Sequence, residues 1–389
     1  RSDMKKVAVF LDTSKPTLGL HGLHTAFTGL PGVEVCAFSD SNPDVDEAEV
    51  KRRLNTTKRY FDPAEMLEKE KPDIAVITSR APFSHLPQLR LAASFGCNVF
   101  TEKPLSADLE ETDEAVRIVE ESGITVCVAH PGRYCPQFQA VKQALDSGKI
   151  GKPLTVSTYG KCDHRGGGED LMTLGTHLLD LMTYLFGDPE SVRAELRSGG
   201  HVTGKDEFRK TLEDVGPCAG EEIFADFRFP DNVRGTFESR MNLCDYRTTT
   251  TYMGLSIRGT EGIVTARFTD IIPDFPVIFS QTRHPAEFGA PFEEYPATET
   301  RIIPGEDPTY PDHIRTVPGV CHTDFMIRGL HYAAWDLLCA LDEHRQPVSN
   351  VYNARLALEM IYGIYASHRK DGARVTFPLN SRKHPLSGE

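Results

Sequence analysis

Val99-Phe100-Thr101-Glu102-Lys103-Pro104 closes a short apolar run and then breaks it. Val and Phe favour a strand, and Pro104 has no N–H to give a ladder, so the strand ends there with Lys103 at the rim of a sheet. In an open parallel α/β sheet, ligands bind outside the carboxyl ends of the strands, which puts a lysine at that rim within reach of a cofactor or substrate. Taken alone, Glu102-Lys103-Pro104 reads as a surface lysine before a turn. Its weight comes from what surrounds it.

On either side of this stretch, short β-branched or apolar runs alternate with amphipathic ones. Residues 7–11, 33–38, 74–78, 99–101 and 125–129 read as strands, and 47–54, 63–69, 84–95 and 109–122 as helices. Such alternation implies right-handed βαβ crossovers and a parallel sheet. The expected fold class is α/β, with residues 1–129 forming a Rossmann-like, doubly wound dinucleotide-binding domain.

Residues 130–389 follow another pattern. A helix over 134–147, a strand over 154–159, the loop Gly166-Gly167-Gly168 and a helix over 170–186 precede strands at 191–196, 222–229, 233–240, 255–259 and 263–266. Strands that follow one another across turn residues pair antiparallel. This predicts an α+β substrate-binding and oligomerisation domain whose sheet has one helix-covered face. The other face, if apolar, would suit a partner subunit. Residues 268–324 read as a long irregular excursion, followed by helices over 326–342 and 351–370, the latter able to pack back toward the first domain, and a strand over 374–378.

The 389 residues carry a formal net charge of −13 and no basic block, which argues against a nucleic-acid partner. No apolar run approaches the roughly 18 residues of a membrane helix. The nine cysteines include no Cys-x-x-Cys pair, and they read as reduced, mostly buried thiols. With Arg1 to Lys6 running straight into a strand, the expected location is the cytoplasm, a cleaved export signal being the alternative.

A dinucleotide site needs a glycine-dependent turn after the first strand. The standard Gly-x-Gly-x-x-Gly is absent, and Asp12-Thr13-Ser14-Lys15-Pro16-Thr17-Leu18 precede Gly19 and Gly22. Ser14, Lys15, Thr17 and the backbone from Gly19 to Gly22 are the candidates to cradle pyrophosphate. Asp40 ends the second strand, where a carboxylate accepts hydrogen bonds from a ribose and repels a 2'-phosphate, favouring NAD over NADP. Ser79, His85, Glu102 and Lys103 complete the cofactor-side candidates.

On the substrate side, residues 166–180 are dense in polar groups. At helical spacing Thr173, His177 and Asp180 share a face, so Asp180 can fix His177, whose imidazole suits proton transfer near neutral pH. His130, Arg133, Tyr134, His164, Asp170 and Thr173 are the candidate substrate contacts. A rival arrangement places His164, Glu169 and His177, with Asp163 or His322, around a divalent metal for lyase or isomerase chemistry on a keto-sugar, although the spacing matches no standard metal motif.

Glu102-Lys103-Pro104, Gly175-Thr176-His177-Leu178-Leu179-Asp180 followed by Leu185-Phe186-Gly187, Ile257-Arg258-Gly259-Thr260-Glu261-Gly262, and Arg374-Val375-Thr376-Phe377-Pro378-Leu379 together resemble the glucose-fructose oxidoreductase, inositol dehydrogenase and rhizopine catabolism (Gfo/Idh/MocA) family. The resemblance implies a Rossmann domain, a second domain with a large, mostly antiparallel open sheet used for oligomerisation as a homodimer or homotetramer, NAD or NADP, and oxidation or reduction of a secondary hydroxyl of a sugar or cyclitol. Lys103 matches the family's catalytic lysine and His177 its catalytic histidine. Two departures stand out. The glycine fingerprint is degraded, and the aspartate many members place four residues before the histidine is Thr173, for which Asp170 or Glu169 would have to substitute. Redox-neutral glycoside cleavage with retained NAD, and a non-enzymatic sugar-binding or sensor protein, are the alternatives on the same fold.

Overall fold

The computed structural model describes residues 4–14, 22–245, 253–268, 277–281, 291–295, 303–305 and 324–388. Its contacts divide the chain into two compact units, one of residues 1–134 with 301–355, the other of 135–300 with 356–389.

In the first unit, β1 (Lys5–Phe10) lies parallel between β2 (Val33–Ser39) and β4 (Ile74–Ile77). With β3 (Arg59–Tyr60), β5 (Asn98–Thr101) and β6 (Val126–Val128), the order among the described residues is β3-β2-β1-β4-β5-β6. This is the doubly wound order expected from the alternation of runs. Strand side chains alternate between faces, so Val7 and Val9 enter one buried cluster while Ala8 and Phe10 enter another. Both faces are therefore covered, as a parallel sheet requires. Aspartate N-caps start the crossover helices: Asp46, Asp62 and Asp108 accept from the main-chain N–H of Glu49, Ala64 and Glu111.

The helix Asp324–Glu343 belongs to this unit, with Ala333 and Leu337 in the same cluster as Val7, Val9 and Phe27. The expected division places a boundary at residue 129 with only the helix 351–370 packing back toward the first domain, whereas here residues 301–355 group with the first unit. Periodicity marks a helix but not the core it serves.

The second unit's strands, named here in chain order, are β7 (Pro153–Tyr159), β8 (Ser191–Ser198), β9 (His201–Val202), β10 (Glu222–Arg228), β11 (Arg234–Arg240), β12 (Gly254–Gly259), β13 (Gly262–Arg267), β14 (Val277–Gln281), β15 (Glu293–Tyr295) and β16 (Val375–Thr376). They form one sheet, β15-β14-β13-β12-β7-β11-β10-β8-β16, with β9 on β8. The pairing is antiparallel as expected except at β7 and β11, which run parallel from Thr155 opposite Arg234 to Tyr159 opposite Glu238. Two of these strands, β14 and β15, fall inside the stretch expected to be irregular. The sheet's outward side is charged, with Arg234 on Asp226 and Arg240 on Glu238 and Glu222, although Phe224 among them is 48% exposed.

The helix expected from Tyr134 begins at Pro136. Cys135 precedes a proline and is extended, which keeps Tyr134 out of the helix.

Candidate active site

Strand order gathers the cofactor-side residues at the carboxyl edge of the first sheet. Asp12 and Thr13 follow β1, Asp40 follows β2, residues 78–85 follow β4, Glu102-Lys103-Pro104 follow β5 and His130 follows β6. The neighbours of β1 on its two sides connect in opposite directions, which makes this edge a topological switch point. Lys15, Thr17 and Gly19 lie outside the described residues. Ser14 donates to Asp12 Oδ1 at 2.6 Å, and Gly22, with φ of 89°, takes the left-handed conformation glycine adopts freely.

Asp40 is buried, and Thr13 Oγ1 donates to its Oδ2 at 2.6 Å. The Asn42 N–H donates to Oδ1 at 3.0 Å, and Asn42 Nδ2 reaches Thr13 Oγ1 at 2.9 Å. Arg59 steadies the same turn by donating to the carbonyls of Asp40 and Asn42 at 3.0 and 2.6 Å. A two-oxygen acceptor held in a fixed orientation suits a ribose diol, so the residues present fit an adenine dinucleotide at this edge. Thr13, Asn42 and Arg59 escaped the sequence reading. The Asx turn at Asp40-Ser41-Asn42 was the signal for Asn42, whereas nothing local marks Arg59.

Lys103 is buried, and its N–H donates to Glu102 Oε1 at 3.1 Å. Glu102 continues the ladder, its N–H donating to the Ile77 carbonyl at 2.9 Å. Burial pushes the Glu102 carboxyl above its ordinary range, while the charges of Lys103, His85 and Arg80 pull it down. The Lys103–Pro104 peptide is cis. His85 lies between two main-chain segments. Its ring is buried, with Nδ1 2.5 Å from the Pro104 carbonyl and Nε2 2.6 Å from the Ser79 carbonyl, and burial lowers its pKa. Ser79 in turn accepts from the Ala81 N–H at 3.2 Å.

Two of the expected substrate contacts, Tyr134 and Arg133, hydrogen-bond within the first unit. Tyr134 is fully buried, donating to Asp336 Oδ2 at 2.8 Å and accepting from the Ser349 N–H at 2.9 Å. Arg133 donates to the Val348 carbonyl at 3.2 Å. His130 is buried, and its main-chain N–H returns to Val128. A polar side chain removed from water needs a partner, and in Arg133 and Tyr134 the partners come from the 336–349 segment.

In the second unit the expected helix has three parts: a turn at Gly168–Asp170, a π-helical segment Leu171–Gly175, and the α-helix Thr176–Phe186. His177 is the second residue of the last part, buried, with its ring 5.7 Å from that of Phe268. Asp180 is fully buried one turn on, the i,i+3 relation the sequence suggested, and its main-chain carbonyl accepts from Thr183 Oγ1 at 2.9 Å. Thr173 sits in the π segment, where the wider winding breaks the assumed spacing. Its hydroxyl donates back to the Glu169 carbonyl at 2.8 Å.

Asp170 and Glu169 do not stand in for the missing aspartate. Asp170 is fully buried and accepts from the Lys161 and Cys162 N–H groups, both at 3.2 Å, and from Ser239 Oγ at 2.5 Å. Glu169 accepts from the Leu212 and Glu213 N–H groups at 2.8 and 3.3 Å. His164 is 46% exposed, while Asp163 pairs with Arg165 at 2.8 Å. Among the described residues no three His, Cys, Asp or Glu side chains are arranged to hold a metal ion, so the His164, Glu169 and His177 set is not assembled. His322 lies outside the described residues. The triple glycine is a packing device, since a Cβ at Gly166 would run into the Arg240 carbonyl and one at Gly167 into the Gly220 carbonyl.

A Rossmann sheet with a ligand-ready edge, joined to an α+β sheet domain, defines a dinucleotide-binding oxidoreductase fold. A family model described as "Oxidoreductase family, NAD-binding Rossmann fold" matches residues 21–158, and the GFO/IDH/MocA C-terminal domain matches residues 138–265. The chain belongs to the GFO/IDH/MocA family. Scyllo-inositol 2-dehydrogenase (NAD(+)) of Bacillus subtilis is 28% identical over 68% of this chain and 79% of that enzyme. D-apiose dehydrogenase of Paraburkholderia graminis is 30% identical over 46% of this chain and 51% of that enzyme. Levoglucosan dehydrogenase, solved with NADH and levoglucosan, has the same fold, with a TM-score of 0.70 at 18% identity over 96% of this chain and 99% of that one. No described helix is long and apolar enough to cross a membrane.

Proposed function

We propose that this protein is an NAD-dependent oxidoreductase that interconverts a secondary hydroxyl and a ketone on a sugar or cyclitol. The observation that carries the reading is the position of Lys103, buried directly after β5 at the same sheet edge as Asp40. Asp40, with Thr13 and Asn42, would hold the adenosine ribose, and the Gly22 backbone would approach the pyrophosphate. Bound nicotinamide supplies the hydride acceptor or donor. Lys103 binds the reacting hydroxyl through its ammonium or amine and takes or returns its proton, while the carboxyl of Glu102 balances charge beside it. His177 is assigned the second acid/base role on the family resemblance. The named relatives point to polyols as the substrate class.

The test is nicotinamide absorbance with scyllo-inositol, myo-inositol, D-apiose and levoglucosan, each offered with NAD+ and with NADP+. Turnover is expected with NAD+ on at least one polyol and is expected to fall about 10³-fold in Lys103→Ala at unchanged fold. A folded Lys103→Ala with wild-type turnover would remove Lys103 from the chemistry. Turnover without accumulation of reduced nicotinamide would instead mark the redox-neutral route.

A further inference from the structure

We infer that His85 is a positioning residue for Lys103: its ring ties the main chain beyond β4 to the main chain beyond β5 and so holds the turn that carries the lysine. The inference rests on the reading of Lys103 as the proton-transfer group.

The ladder between β4 and β5 ends at the bond from the Glu102 N–H to the Ile77 carbonyl. Past that point the two segments leave the ladder, and Lys103 is the next residue. The chain beyond β4 is itself stiff. Ser84 Oγ and the Ser84 N–H both donate to the Ala81 carbonyl, at 2.7 and 3.0 Å, and a short 3-10 turn Pro82–Ser84 places His85 at the start of the helix His85–Ser94. From there the buried ring spans the Ser79 carbonyl on one side and the Pro104 carbonyl on the other.

Imidazole suits this task because it is rigid and carries polar atoms on opposite sides of the ring. Leu has neither, Phe has the rigid ring without the polar atoms, and the amide donors of Gln leave from one atom. A singly protonated ring donates to one carbonyl and a doubly protonated ring to both. The charged groups that act on the ring are Glu102 and Lys103, and the Glu102 carboxylate favours the second proton while burial and Lys103 oppose it. In either state both ring nitrogens face main-chain carbonyls, and the tie to both segments is complete in the doubly protonated ring, which is the arrangement of a brace. A shift of about 1 Å in a reacting group is enough to cost about 10²-fold in rate.

Two measurements on the full chain decide the point, using His85→Leu and the conservative His85→Gln. Amide hydrogen exchange is expected to quicken about tenfold or more over residues 101–106 in His85→Leu, with peptides from β1 unchanged. Unchanged exchange at 101–106 overturns the brace. With scyllo-inositol and NAD+ as probes, kcat is expected to fall about 10²-fold with KM for NAD+ nearly constant, His85→Gln is expected to recover part of the loss, and the loss is expected to vanish in a Lys103→Ala background. An equal loss with and without Lys103 makes the effect general destabilisation and overturns the inference. Wild-type turnover in Lys103→Ala alone rejects the reading of Lys103, and the exchange result then still decides whether His85 braces the turn.

Discussion

Thr13 Oγ1 donates to Asp40 Oδ2 at 2.6 Å, linking the residues that follow β1 and β2. Asn42 holds the other carboxylate oxygen at 3.0 Å, so the carboxylate is fixed in orientation and keeps lone pairs for further donors. A fixed anion accepts from ribose hydroxyls and repels a phosphate. Asp40→Ala is expected to lower kcat/KM for NAD+ by about 10- to 100-fold and to raise the NADP+ to NAD+ ratio, read in steady-state assays with both cofactors. An unchanged ratio would place cofactor choice elsewhere.

Asp170 takes three hydrogen bonds that join residues 161–162 to β11, so its loss strands three buried donors. Asp170→Ala is expected to lower stability by about 3 kcal/mol in urea unfolding. Burial raises the pKa of this carboxyl above its ordinary value of 3.8. The native state then binds the proton more tightly than the unfolded state, and this group's contribution falls as pH rises from about the ordinary value through the raised one. Asp170→Asn removes that titration, so its stability is expected to lose less than wild type's across the same rise in pH.

Gly167, at φ of +88°, lies against the Gly220 carbonyl. Gly167→Ala is expected to cost about 2 kcal/mol or more, because it adds a clash with backbone to a conformation that L residues avoid. Thermal unfolding measures it. Loss of turnover without loss of stability would mean that the loop is tuned for a ligand rather than for packing.

Tyr134→Phe keeps the ring and removes one hydroxyl, leaving the Ser349 N–H without its acceptor and Asp336 with one donor fewer, its carboxylate still accepting from Arg345 and from the Val348 N–H. A loss of about 1 to 3 kcal/mol in stability with kcat unchanged is expected. A selective fall in kcat would return Tyr134 to the substrate.

Much of the first sheet was legible because Val7-Ala8-Val9-Phe10 and its counterparts announce buried parallel strands, and because Pro104 marks where one of them stops. The rim position of Lys103 followed from that alone. The polar residues misled wherever their partners are backbone groups or lie far along the chain. Tyr134 and Asp336 are 202 residues apart, a relation that no periodicity encodes. Thr173 and His85 read as ligand contacts because a sequence shows that a side chain is polar but not which carbonyl it will meet. The π segment is hidden for the same reason, since its residues scan as ordinary helix.

The discontinuity of the first unit bears on how the protein is made. Its cluster around Val7, Val9 and Phe27 is completed by Ala333 and Leu337, which leave the ribosome only after all of residues 135–300 have been synthesised. At roughly 5–20 residues per second, that delay is roughly 10–40 s, during which one face of the nascent sheet, covered in part by Leu23, Phe27, Val50 and Leu54, waits for its closing helix. Nascent chains stalled before residue 324 are therefore the species with the greatest need of a chaperone.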